Sequence, residues 1–502
     1  MGGRRCVVAA GVVAWVALAG LAVRADVKLP SLVSEGMVLQ QGVPVRIWGW
    51  ADEGEQVTVK IKNQTETTIA SQGKWAVTLA PMKAGGPFEL AIFGKNKIAF
   101  KDVLVGEIWV CSGQSNMQWS LSQSFEAEKH IQNSANPKIH LFSVPRVKSD
   151  KPLEDTTGSW QACSPATVKD FTAVGYFFGR DLQKALKVPV GLIHSSWGGS
   201  PAEVWVRESV LAANSELKTI LDAYPKSFEG YQKALADYEA RAAKAKAKEA
   251  KQPALRRPSA PWKPAELYNG MIAPLLPYAI KGAIWYQGES NASRAAQYRS
   301  LFPTMIQNWR RDWKLGDFTF LEVQLAPFME IKTEPAESAW AELREAQLLA
   351  TRLLPNVGMA VITDVGDPKD IHPKKKEPVG ARLALAAQGI AYGEKIEYSG
   401  PIYKYMQVGP GHIALHFDHV GKGLVAKEGP LKGFAIAGAD GRFVWADAAI
   451  EGDTVVVSSK DGPRPVAVRY GWADCPVVNL WNKNGLPASP FRTDRAESDM
   501  SY

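Results

Sequence analysis

Between Val27 and about Ala99, apolar and polar residues alternate with a period of two. The stretches VPVRIWGWA, EQVTVKIKN and KWAVTLAPM show the alternation, and Gly, Asn and Pro separate them. Residues two apart share a face of a strand, so each stretch predicts a half-buried strand. Several in succession predict an N-terminal β-sandwich over residues 26–100. After Lys101 the pattern changes. Short continuous apolar runs, GEIWVCSG, PVGLIHSSWGG, AIKGAIWYQGES, FTFLEVQLA and VGMAVITDVGD, alternate with helical-period segments such as VGYFFGRDLQKAL and SAWAELREAQLLATRLL. Buried strands alternating with amphipathic helices predict a parallel sheet covered on both faces, over residues 101–400. From about Gly400 the strand pattern returns in HIALHFDHV, DTVVVSS and PVAVRYGW, which predicts a β-rich C-terminal region, 401–502, packed on the α/β part.

Two segments depart from these patterns. Arg4 and Arg5 precede an apolar run from Val7 to Val23, and small residues surround a cleavage point before Asp26. This reads as a signal peptide over residues 1–25 and predicts an exported chain, periplasmic or extracellular, or lysosomal in a eukaryote. An uncleaved N-terminal anchor is the alternative, since the run approaches the length of a membrane span. Within 225–264, ten Lys or Arg face four Asp or Glu, in an Ala/Lys/Glu-rich stretch followed by PALRRPSAPWKP. This predicts an exposed basic helix and a proline-stiffened linker. The formal charge of +8 belongs largely to this insert and to the three arginines of residues 1–25, so it does not predict nucleic-acid binding. Outside residues 1–25 the cysteines are Cys111, Cys163 and Cys475, which allow at most one bridge and suit neither a zinc site nor a disulfide scaffold.

The polar residues that follow the apolar runs carry the candidate chemistry, because open α/β sheets place their sites beyond the C-terminal ends of the strands. Ser115 lies in SGQSNM after Ile108-Trp109-Val110. Gly198 and Gly199 follow Val190–Ile193, and their backbone is free to turn N–H groups toward a bound oxygen. Gln287, Glu289 and Asn291 follow Ala283-Ile284-Trp285 and bring two neutral amides to the same edge. His372 sits in DVGDPKDIHP with Asp364, Asp367 and Asp370 around it, a setting that suits a general base. Each residue alone reads equally as a turn, a cap or a loop hydrogen-bonding group. Together they supply the nucleophile, base and oxyanion donors that acyl transfer needs.

The stretches GEIWVCSGQSNMQW, GLIHSSWGGSPAEVW, LYNGMIAPLLPYAIKGAIWYQGESNA, DIHPKKKEPVGARLA and WADCPVVNLWNKNGLPASPFRTD make the chain resemble the sialate O-acetylesterases of the SGNH hydrolase superfamily. The resemblance implies a flavodoxin-like three-layer α/β/α sandwich that removes O-acetyl groups from sugars without cofactor or metal. It implies Ser115 as nucleophile and backbone oxyanion donor, His372 as general base, and Gly199 in preference to Gly198 as the second donor. Asn291 is implied as the side-chain donor, with Gln287 as its competitor. The superfamily usually carries Asp three residues before the catalytic His. Position 369 here is Lys, so Asp370, Asp367 or Glu289, or no acid at all, orients the imidazole.

Other readings compete. Acetylated xylan or another polysaccharide is an alternative substrate for the same chemistry. A non-catalytic glycan-binding protein is the rival of a different class. His412, His416 and Asp418, with His419 beside them, alternate on one predicted strand and offer a conceivable metal site. Trp119, Trp197, Trp205 and Trp285 lie near the motifs, as sugar platforms or as core. Asn63 and Asn291 both fit the N-glycosylation pattern, and a glycan on Asn291 would destroy the expected oxyanion site.

Overall fold

The strand Lys97–Gly113 belongs to two structures at once. Its first half alternates between exposed and half-buried positions and pairs antiparallel with Gly85–Phe93. Its second half is buried on both faces and forms the centre of a parallel sheet. The expected boundary at residue 100 therefore falls inside a continuous strand. The computed structural model describes residues 26–247, 256–460 and 464–494. The expected signal peptide, part of the basic insert and the last residues lie outside these. Among the described residues no helix is long and apolar enough to cross a membrane.

The main run of the sheet is Val357–Ala360, Thr319–Val323, Gly282–Tyr286, Lys97–Gly113, Val190–Ser196, Asn136–Ser143 and Gln161–Cys163. All neighbours are parallel except the last pair, which closes one edge antiparallel. The five strands Val190–Ser196, Lys97–Gly113, Gly282–Tyr286, Thr319–Val323 and Val357–Ala360 stand in flavodoxin-like order, with the strand of Ser115 second from one side, and candidate residues follow four of them. From that central strand the chain goes first to Asn136–Ser143 and Gln161–Cys163 on one side, then reaches the neighbour Val190–Ser196 on that side, and later the other neighbour, Gly282–Tyr286. A ligand site is expected at such a reversal.

Period-two alternation sorts each strand's residues into two cores. Trp109, Cys111, Leu192, Ile284 and Leu321 pack with helices Ala173–Leu186 and Glu377–Ile390. Ile108, Val110, Ile193, Trp285 and Phe320 pack with helices Ala295–Trp313 and Ala339–Leu353. This is the three-layer α/β/α arrangement. The second core continues without a break into the N-terminal strands, where Val45–Trp50 pairs with Lys74–Leu79, and Gln56–Ile61 lies between Gln64–Ile69 and Gly85–Phe93. Tyr278 joins the two parts: its hydroxyl donates to the Val38 carbonyl at 2.6 Å and its ring meets the edge of Trp48. Asn63 lies exposed in the turn after Gln56–Ile61.

The C-terminal region holds two four-stranded antiparallel sheets around a core of its own, which includes Ile413, Leu415, Val455 and Tyr470. Arg344 ties it to the α/β part. This fully buried guanidinium donates to the carbonyls of Leu325 and Ala326 on one side and of Ala473 and Asp474 on the other, at 2.7 to 3.1 Å. The basic insert is helical as far as Ala247, and that helix starts earlier than expected, at Ser215. The Asn214 side chain accepts the Glu216 and Leu217 amides and so sets that start, a capping signal stronger than the charge pattern downstream. Cys111, Cys163 and Cys475 are all free and buried, so no bridge forms among them.

Candidate active site

Gly113 ends the central strand at φ +139, where a Cβ would lie 2.2 Å from the Tyr286 carbonyl oxygen. Only glycine lets the two strands approach this closely and still release the chain into a turn. The Gln114 amide then donates to that carbonyl at 3.0 Å. A single helical turn, Ser115–Gln118, begins at the next residue and presents Ser115 at the rim.

His372 arrives from the loop beyond Val357–Ala360. Its Nε2 lies 2.8 Å from Ser115 Oγ, although the two residues are 257 apart in the chain. Its ring stacks on Trp119, with centroids 5.1 Å apart and planes 16° from parallel. Asn116, next to the serine, donates to the Ile371 carbonyl at 3.0 Å and so ties the histidine loop to the serine turn. Partial burial, and then the neighbouring Lys376, hold the imidazole below the usual histidine pKa, against a smaller upward pull from Asp370. The ring is therefore neutral, as a base must be, at ordinary pH.

Of the three acids considered as orienters, only Asp370 faces the ring. Its Oδ1 is 3.8 Å from His372 Nδ1, too far for a hydrogen bond, and accepts the His372 backbone amide at 2.9 Å instead. Asp367 accepts the Lys369 amide and closes a turn. Glu289 Oε1 accepts from Asn116 at 2.6 Å. Neither forms an ion pair or hydrogen bond with the imidazole: Asp367 shapes its own loop, and Glu289 is committed to the serine turn.

The amides sort as cleanly. Gly198 N–H donates to Gln118 Oε1 at 2.7 Å. Gly199, at φ +77, and Ser115 have backbone N–H groups with no partner among the described residues. Gln287, the competitor of Asn291, is spent: it accepts from the Tyr298 hydroxyl and donates to Ser200 O and Asn291 Oδ1. It is a support within the core, fully buried. Asn291 Oδ1 also accepts the Ala202 amide at 2.9 Å, and its Nδ2 donates to Glu203 at 2.9 Å. A backbone amide can only donate and a carboxylate can only accept, so the orientation of the Asn291 amide is fixed, with one N–H left over. Asn291 is 1% exposed, which removes it as a glycosylation site.

Sequence reasoning missed Asn116, Glu203 and Lys376. The Lys376 ammonium is buried and donates to Asn116 Oδ1 at 2.5 Å, and burial brings its pKa down to about 7. Glu203 also pairs with Arg294 at 2.6 Å. All three act on residues that touch the site and lie in quoted motifs, but only the contacts give them a role. Trp205 and Trp285 are core, fully buried against Trp309 or one another. The histidine strand disperses: His412 meets the Pro410 carbonyl, His416 stacks on Tyr405, and Asp418 pairs with Lys404. Among the described residues no three His, Cys, Asp or Glu gather as a metal site.

Residues 258–388 match a family model described as a carbohydrate esterase, sialic acid-specific acetylesterase. The human sialate O-acetylesterase is 31% identical, over 92% of this chain and 92% of its own. The Mus musculus sialate O-acetylesterase is 31% identical, over 92% of this chain and 94% of its own. The crystal structure of a carbohydrate acetylesterase from Xanthomonas citri superposes with a TM-score of 0.81 at 39% identity, covering 94% of this chain and 100% of that one.

Proposed function

The chain belongs to the sialate O-acetylesterase family of carbohydrate esterases, and from that premise we propose that it removes O-acetyl groups from sialic acid through a Ser115 acyl-enzyme. The observation that carries the mechanism is the 2.8 Å contact between Ser115 Oγ and His372 Nε2. His372 takes the serine proton as Oγ attacks the acetyl carbonyl carbon. The oxyanion that forms is met by the free N–H groups of Ser115 and Gly199 and by the remaining N–H of Asn291. Each such donor contributes roughly 3–4 kcal/mol to lowering the barrier. The tetrahedral intermediate collapses, the carbon–oxygen bond to the sugar breaks, and His372 Nε2–H protonates the departing sugar oxygen. Water then attacks the acetyl-serine with His372 again as base, and acetate leaves. None of these steps calls on a metal or organic cofactor.

Trp119 holds the imidazole plane, while Asp370 fixes the backbone at His372 and places a negative charge beside Nδ1. Residues 26–100 and 401–502 act as β-rich flanks of a catalytic part at 101–400, and residues 1–25 direct export. The test is release of acetate from O-acetylated sialic acid, run beside acetylated xylo-oligosaccharides and an aryl acetate. Ser115→Ala is expected to lose at least about a thousandfold in kcat on all of them. Equal rates for wild type and Ser115→Ala would overturn the nucleophile, and faster turnover of the xylo-oligosaccharides would overturn the substrate.

A further inference from the structure

We infer that Arg146 receives the carboxylate of an acidic sugar substrate and so selects charged over neutral acetylated sugars; this rests on the esterase reading above. The chain leaves the strand Asn136–Ser143 beside the strand Val190–Ser196, and the Val144 amide donates to the His194 carbonyl at 2.9 Å. Two residues on, Arg146 stands exposed beyond the C-terminal rim of the sheet, its guanidinium carbon 5.9 Å from the centre of the Trp197 ring. The Trp197 amide donates to the Gly113 carbonyl at 3.1 Å. The next residue, Gly198, is so close to the nucleophile that a Cβ there would lie 3.2 Å from Ser115 Cβ. The ring beside the guanidinium thus belongs to the residue next in the chain to the glycine that abuts Ser115.

Three nearby cations are engaged elsewhere. Arg294 pairs with Glu203, Lys148 pairs with Glu266 at 2.8 Å, and Lys376 is buried on Asn116. Arg146 has no acid partner or hydrogen bond among the described residues. Exposed Lys374 and Lys375 lie on the histidine loop, but Lys375 leans toward Phe125 on the far side. A planar guanidinium beside an indole ring offers two parallel N–H groups, which match a carboxylate better than a flexible ammonium does. Trp197 meets Trp262 edge-on at 5.5 Å, so the platform beneath the arginine is itself braced.

The test compares acetate release from an O-acetylated sialic acid and from its carboxamide analogue, which keeps the acetyl group and loses the charge. An O-acetylated hexuronate and its carboxamide run alongside, to tell which acidic sugar supplies the carboxylate. The readout is the acid-to-amide ratio of kcat/KM within each protein, so any general loss of activity cancels. Wild type is expected to prefer the acid by about 10- to 100-fold, mainly in KM, for at least one of the two sugars. Arg146→Gln brings that ratio close to one, and Arg146→Lys falls between. A ratio near one in wild type overturns the proposal. So does a preference that survives Arg146→Gln but disappears in Lys374→Gln or Lys375→Gln. Absence of acetate release from any ester by wild type would instead strike at the esterase reading.

Discussion

At the scale of single residues, the site separates a strong contact from a weak one. Ser115 and His372 are in hydrogen-bond contact, but Asp370 stands 3.8 Å from the imidazole and its side chain is 43% exposed. An exposed pair of this kind is worth at most about 1 kcal/mol. Asp370→Asn keeps an oxygen for the His372 amide, so it is expected to lower kcat/KM by no more than about fivefold. An acid bonded directly to the ring would cost roughly ten-thousandfold when removed. Steady-state rates on an aryl acetate decide between the two. The pH profile belongs at this scale as well. Burial and Lys376 both push the His372 pKa down, so the ring stays neutral, and able to accept a proton, to a lower pH than an ordinary histidine. The acid limb of kcat/KM is therefore expected below about pH 6.5, the value of an unperturbed histidine. A midpoint above that value would contradict the arrangement around the ring.

At the scale of elements, helix Ala339–Leu353 transmits the C-terminal region to the site. Ser338 caps it by accepting the Ala341 amide and donates to Asp474 at 2.6 Å. Arg344 binds four carbonyls from two segments. One turn on, Gln347 donates to the Gln287 carbonyl at 3.1 Å, and Gln287 in turn bonds Asn291. Burial lowers the Arg344 pKa to about 10, so the side chain is charged near neutral pH. Arg344→Met leaves four carbonyls without their donor and is expected to cost on the order of 3 kcal/mol of stability. Denaturant midpoints of the purified variant measure it; a change under about 0.5 kcal/mol, the range of a surface substitution, would refute this role. This scale also shows what the sequence discloses. Apolar runs such as AIKGAIWYQGES mark both a strand and its end, so Ser115, Asn291 and His372 could be placed at one rim before any contact was known. The spent amide of Gln287 and the partner of Glu289 depend on where loops from distant segments meet. Periodicity carries no signal for that.

At the scale of the whole molecule, the N-terminal strands and the α/β sheet are one folding problem. They share the strand Lys97–Gly113 and one continuous apolar core that runs from Val27 to Trp309. A chain that starts at Lys101 would lose the antiparallel partner Gly85–Phe93 and bare the apolar side chains beneath it. Exposed apolar area of that kind drives association. Residues 101–494 alone are therefore expected to aggregate on expression, and the soluble fraction beside that of residues 26–494 is the measurement. A soluble, active fragment would show that the shared strand is dispensable.

The three described cysteines are sealed inside the fold as separate thiols. Folding of the described residues thus involves no oxidation step, and glutathione has nothing to undo. A thiol reductant is therefore not expected to loosen the described fold, and an oxidising medium adds no bridge among these three residues.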